Sequence, residues 1–290
     1  MNILFAVIAL SISLAVAASA EPIIKVSAVQ MRSSLNLEEN VQKISRFLET
    51  LSAGGVKIAV FPECALTSYT AEAIKNLDRP ALEKAIDSVA EACRKHKICA
   101  VIGTPTYRPD GKLFNTALVF DEEGTIVERY HKVQLVETWA QPGDHLALFD
   151  IAGVKATIII CHDERYPELV RLPVMAGARL VFYVSSESGI REEHKINPYR
   201  AQIQARAMEN TVWVVHANTP ANNDLTGSHG QSRIIQPDGN IVKEASMFGE
   251  EVVTADLDMA RSTGWLARRS RDCAFLRDFW DEGLKLFDKN

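Results

Sequence analysis

Apolar positions along residues 21–290 switch repeatedly between two periods. "IIKVSAVQM" (23–31), "VKIAVFPE" (56–63) and "ICAVIGTP" (98–105) are short β-rich runs and predict strands. Between the first two, Leu37, Val41, Ile44, Phe47, Leu48 and Leu51 keep helical spacing, and Gly54-Gly55 ends the pattern. "RPALEKAIDSVAEACRKHK" (79–97) predicts a second amphipathic helix. "LFNTALVFDEEGTIVERYHK" (113–132) reads as two strands around the turn Asp121-Glu122-Glu123-Gly124, and "GQSRIIQPDGNIVKEA" (230–245) as a hairpin around Pro237-Asp238-Gly239. "VKATIIICHDERYPELVRLPVMAGARLVFYVS" (154–185) gives strand, charged turn, helix and strand, and 197–219 gives helix then strand. Strands alternating with helices, interleaved with hairpins, imply mixed sheets carrying helices on their outer faces. No linker or repeat divides residues 21–290, so they read as one domain. From about residue 259 an aromatic arm (Trp265, Phe275, Phe279, Trp280, Phe287) packs either on a partner subunit or on its own domain.

Composition adds little to this picture, and the amino terminus adds more. With 290 residues, 47% hydrophobic and 24% charged, the chain can bury one large core. A formal net charge of −5 argues against nucleic acid or an anionic membrane surface as partner. The basic patch "ARRSR" (267–271) reads as a solvated turn or a subunit contact. Within residues 1–20, "MNILFAVIALSISLAVAASA", the apolar run Ile3–Ala18 is 16 residues, shorter than the ~20 residues of a spanning helix, and a small-x-small cleavage signal follows it. They predict a secretory signal, hence an exported protein with no membrane attachment after cleavage; an uncleaved anchor is the alternative. The five cysteines (Cys64, Cys93, Cys99, Cys161, Cys273) are too scattered for a disulfide scaffold, and only Cys93 and Cys99 lie where they could pair.

Chemistry-bearing residues recur where strands give way to turns. Glu63 ends the strand "IAVFPE" behind Pro62; it reads as a partly desolvated base or as a surface charge. Lys132 ends a hairpin strand, as an oxyanion donor or a solvated cation. Cys161 follows the β-branched run "TIII" and precedes a helix beginning near Tyr166-Pro167-Glu168, a geometry that suits a nucleophile as well as a buried core thiol.

In combination, "VFPE", "YHKVQL" and "IIICHDERYPEL", supported by "QPGD", "ARAMEN" and "GQSRIIQPDG", resemble the nitrilase superfamily of carbon–nitrogen hydrolases over roughly residues 24–258. The resemblance implies an α-β-β-α sandwich of two mixed sheets, a homodimer or higher homo-oligomer, and no cofactor or metal. It also implies Glu63 as general base, Lys132 and the backbone N–H of His162 at the oxyanion, Cys161 as nucleophile, and Glu137 in "LVETWAQPGD" as a second carboxylate.

His162-Asp163 stands where nitrile-cleaving members carry Trp-Glu, so the resemblance favours amide or carbamoyl substrates. Glu164-Arg165 replaces a pair of arginines of the D-carbamoylase type, and Arg165 either meets a substrate carboxylate or pairs with Glu164. The resemblance places the substrate pocket's lining in segment 185–200, which reads as a polar rim with Glu187, His194 and Tyr199 as candidate substrate contacts, or as a solvated loop. Three other readings stay open: nitrile hydrolysis, acyl transfer, and a catalytically silent secreted binding protein. A metal site is disfavoured, because Cys161 and His162 point to opposite faces of an extended chain and no pair has zinc-ligand spacing.

Overall fold

The computed structural model describes residues 21–191 and 196–287. The expected signal segment and His194 therefore lie outside the described residues. Strands β1 (Ile23–Gln30), β2 (Ile58–Val60), β3 (Cys99–Tyr107), β4 (Leu113–Phe120) and β5 (Ile126–His131) share a sheet with β12 (Glu251–Asp258), in the order β12-β1-β2-β3-β4-β5. The second sheet runs β11-β10-β9-β8-β7-β6, from β6 (Phe149–Ile151), β7 (Val154–Ile160), β8 (Leu180–Ser185), β9 (Trp213–Asn218), β10 (Arg233–Ile235) and β11 (Ile241–Glu244). In each sheet parallel central strands are flanked by antiparallel ones, so both are mixed.

Inward side chains of the two sheets interdigitate, among them Val26, Val60, Val101, Ile158, Ile160, Phe182 and Val215. The outer face of the first sheet is covered by α1 (Leu37–Ala53) and α3 (Arg79–His96), through Ile44, Leu48, Leu82, Val89 and Cys93. The second is covered by α4 (Glu168–Met175) and α5 (Ile196–Asn210), through Leu169, Val170, Ile203 and Ala207. This is the expected α-β-β-α sandwich. Helix starts follow local chemistry: Asn36 accepts from the N–H groups of Glu38 and Glu39, and Asp78 from that of Ala81.

Several elements were not legible from periodicity. The short α2 (Ala71–Lys75) and three-residue β6 are too brief to show a period, and β12 mixes exposed and buried positions. The arm forms α6 (Trp265–Ser270) and α7 (Arg277–Leu284), and Trp280, Leu284 and Phe287 pack partly against the cluster under the second sheet. Its other face leaves Phe275 93% and Phe279 65% exposed. All five cysteines are free thiols, so Cys93 and Cys99 are unpaired in the structure.

One glycine shows how tightly the functional end of the first sheet is built. A Cβ on Gly103 in β3 would lie 2.2 Å from the Pro62 carbonyl oxygen and 2.5 Å from the Glu63 Cα. Only hydrogen fits behind Glu63. Gly103→Ala is expected to displace the Pro62–Glu63 segment and to cost about 1–3 kcal/mol of stability. Urea unfolding checks this, and an unchanged midpoint would show that the segment re-seats freely.

Candidate active site

The carboxyl ends of β2, β5, β7 and β8 open together into a cavity of about 740 Å³, lined by Glu63, Tyr69, Cys161, His162, Glu164, Arg165, Glu187 and Tyr199 among others. Ligand crevices form at this end of parallel strands because the chain turns away there and leaves space between successive connections.

At its base is a buried ion cluster. Lys132, 0% exposed, places Nζ 2.9 Å from Glu63 Oε1 and 3.0 Å from Glu137 Oε2. Asn115 Nδ2 donates to Glu63 Oε1 at 2.7 Å and also to Glu137 Oε1. The other Glu63 oxygen accepts from the Ser186 N–H at 2.9 Å, and Glu137 Oε2 from the Val136 N–H at 3.0 Å. The Lys132 N–H bonds the Asn115 carbonyl at 2.8 Å, so the lysine's main chain is tied to the residue that bridges its partners.

Burial acts differently on each member. It raises the Glu63 carboxyl above the ordinary glutamate value, an effect that Lys132 and Asn115 only partly offset. For Glu137 burial works in the same direction, but Lys132 and the Asn115 hydrogen bond outweigh it, and the group ends below its usual value. Burial disfavours the charge on Lys132, yet Glu63, Cys161 and Glu137 overcome this and hold it protonated.

Cys161 follows directly on β7 and opens a 3-10 turn, Cys161–Arg165, with a backbone φ of +45°. A non-glycine residue in this region stores strain of roughly 1–3 kcal/mol, which the surroundings must hold in place. Asp163 supplies much of that restraint. Fully buried, it accepts from the Ile160 N–H at 3.1 Å, the Gln134 N–H at 2.8 Å and the Tyr130 hydroxyl at 2.9 Å. Burial raises the Cys161 thiol well above its ordinary value, with Glu63 adding to the shift and Lys132 opposing it. The sulfur is therefore a neutral thiol at rest and needs a base. A buried carboxylate of raised basicity, a fixed ammonium and a partly exposed thiol at one cavity can together move a proton, attack a carbonyl and hold an oxyanion.

The structure gathers most of the residues expected from the motifs. Glu63, Lys132 and Glu137 form the ion cluster, while Cys161, His162, Arg165, Glu187 and Tyr199 surround the cavity. Arg165 and Glu164 do not form an ion pair. Glu164 is 1% exposed and turned inward, its Oε2 buried without a hydrogen-bond partner, whereas Arg165 is exposed with its guanidinium 5.1 Å above the Tyr199 ring. Tyr199 lies on α5 and not on a loop. Glu187 reaches the cavity with both oxygens already engaged: the Tyr183 hydroxyl donates to Oε1 at 2.6 Å and Asn218 Nδ2 donates to Oε2 at 3.4 Å, with His229 Nε2 2.9 Å from the same oxygen. Asn115 escaped the sequence reading; a single amide inside the apolar run "LFNTALVF" was its only signal. Among the described residues, no group of three or more His, Cys, Asp and Glu side chains is arranged to hold a metal ion, and no helix is long and apolar enough to cross a membrane.

Residues 25–266 match the model of the carbon–nitrogen hydrolase family. The chain is 30% identical over 209 residues to a "hydrolase in agr operon" of Staphylococcus lugdunensis, covering 69% of this chain and 88% of that protein. It is 29% identical over 232 residues to the 2-oxoglutaramate amidase of Bacillus subtilis, covering 77% and 86%. Among solved structures, Saccharomyces cerevisiae Nit3, a nitrilase-superfamily member, superposes with a TM-score of 0.75 at 26% identity, over 88% of this chain and 95% of that one.

Proposed function

The chain belongs to the carbon–nitrogen hydrolase family, and on that premise we propose that it hydrolyses a small-molecule amide through a thioester on Cys161. The observation that carries this reading is the buried Glu63–Lys132–Glu137 cluster at the cavity that also holds the Cys161 thiol. Glu63 takes the thiol proton as sulfur attacks the carbonyl carbon. Lys132 and the backbone N–H of His162 receive the oxyanion. Glu63 then returns the proton to the departing amine, and the carbon–nitrogen bond breaks to leave a thioester. Water, deprotonated by Glu63, cleaves it to the acid and restores the thiol. Glu137 and Asn115 hold Lys132 and Glu63 in register.

The acyl portion of the substrate faces Arg165 and Tyr199. Because Glu164 turns inward, the Arg165 charge stays at the cavity mouth, which suits an amide bearing a carboxylate. The 2-oxoglutaramate amidase relative is consistent with this choice. A panel of short dicarboxylic monoamides, neutral primary amides, N-carbamoyl amino acids and a nitrile, followed by ammonia release and intact mass, tests both levels. The monoamides are expected to give the highest kcat/KM and a mass increase mapped to Cys161. Turnover of the nitrile alone would overturn the reaction class, and a preference for neutral amides would overturn the role of Arg165.

The pH profile follows from Glu63. It must be ionised to accept the thiol proton, and burial raises its pKa. Activity should therefore fall with decreasing pH along a limb of kcat/KM that lies above the ordinary glutamate value of about 4.3. A limb at or below that value would assign the base elsewhere.

A further inference from the structure

The proposed reaction leaves unused a set of buried polar groups directly behind Cys161. Tyr183, fully buried on β8, places its hydroxyl 2.6 Å from Glu187 Oε1 and 3.3 Å from the carbonyl oxygen of Cys161. Its ring stacks on His216 with centroids 4.2 Å apart and planes 19° from parallel. His216 Nε2 in turn lies 2.7 Å from Ser185 Oγ, so the ring cannot tilt without disturbing the end of the strand. Glu187 is fixed from its far side by Asn218, whose Nδ2 donates to Oε2 at 3.4 Å and whose Oδ1 accepts from the Glu187 N–H at 3.2 Å. None of these residues belongs to the motifs that identified the site.

The position of the hydroxyl matters because of the Cys161 backbone. A residue at φ +45° relaxes unless its neighbouring peptide groups are held. Asp163 holds the Ile160 N–H on the amino side. On the carboxyl side, the Cys161 carbonyl belongs to the peptide whose N–H is that of His162, the proposed oxyanion donor. Rotation of this peptide would move carbonyl and N–H together, since the unit is planar. Tyr183 has one proton, and the shorter, charge-assisted bond to Glu187 takes most of it. That bond anchors the hydroxyl where the Cys161 carbonyl shares it.

We propose that Tyr183, anchored by Glu187, is a positioning residue that sets the Cys161–His162 peptide and so aims the thiol and the His162 N–H into the cavity. The inference rests on the reading of Cys161 as nucleophile. It also gives Glu187 a supporting role in place of substrate contact.

Three variants test it: Tyr183→Phe, which keeps the stacking ring, Glu187→Leu, which removes the anchor, and Glu187→Gln, which keeps an acceptor. For each, kcat and KM are measured on the best amide of the panel. The rate of Cys161 alkylation by iodoacetamide is measured without substrate by peptide mass, and thermal unfolding is recorded alongside. Tyr183→Phe and Glu187→Leu are expected to lower kcat roughly 10- to 100-fold with KM within about 2-fold, the size of loss that a misplacement near 1 Å produces. Cys161 alkylation should slow in parallel in the folded proteins, and Glu187→Gln should recover most of what Glu187→Leu loses. Unchanged kcat and alkylation in folded Tyr183→Phe would overturn the proposal; if that variant does not fold, the same result in Glu187→Leu decides it. A large rise in KM with kcat retained in either Glu187 variant would instead make Glu187 a substrate contact and equally overturn it. Should no amide be turned over by the unaltered enzyme, the alkylation rates still report on the positioning role separately.

Discussion

Replacing Cys161 with alanine is expected to reduce amide turnover by roughly 10⁴-fold or more, because the proposed acyl-enzyme forms on this thiol. Cys64 also lines the cavity, but it is fully buried, and burial with the neighbouring Glu63 raises its thiol well above its ordinary value. Its Sγ lies 3.9 Å from Asn115 Oδ1 and faces the amide that bridges the two carboxylates. The covalent adduct seen by intact mass in the unaltered protein should disappear in Cys161→Ala, while unfolding shifts little, since the side chain removed is small and partly exposed. Adduct and activity persisting in that variant would refute the mechanism as a whole.

Lys132→Met is expected to cost both activity and stability. The ammonium is the shared partner of two buried carboxylates, and its removal leaves Glu63 and Glu137 facing each other without a counter-charge. Breaking a buried pair in this way typically costs about 3–5 kcal/mol. Loss of the oxyanion donor alone removes about 10²–10³ in kcat. Lys132 also lowers the Glu63 pKa, so in the variant Glu63 rises further above its unfolded value. A carboxyl raised in the folded state favours folding at low pH and loses that contribution as pH climbs through the folded pKa. The stability deficit should therefore be smaller near the unfolded carboxyl value of about 4.3 than at about pH 8, as read by urea unfolding at both. An equal deficit at the two values would mean that another group neutralises the carboxylates.

The aromatic arm divides between a packed and an exposed face. Trp280, Leu284 and Phe287 pack partly on their own domain, beside Leu172, where Gly283 approaches closely enough that a Cβ would lie 2.7 Å from a leucine methyl. Phe275 and Phe279 stay exposed on the other side. Sequence could name the aromatic residues but not divide them between faces, since α7 is short and its orientation comes from contact with α4.

The sequence by itself determined most of the strands and helices, the two hairpins, and the three ordered motif blocks whose resemblance singled out Glu63, Lys132 and Cys161. Those signals are short-range, set by side-chain alternation and turn chemistry within a few residues. Tertiary structure alone decided the meeting of Asn115 with both carboxylates, the inward turn of Glu164 that leaves Arg165 at the cavity mouth, and the closeness of Tyr183 to the Cys161 carbonyl. These depend on strand register and on the face-to-face packing of two sheets, which bring together residues far apart in the chain. No periodicity in one segment encodes the distance to another, and so Cys161 could be singled out by its motif block together with the other two, while what packs around it could not.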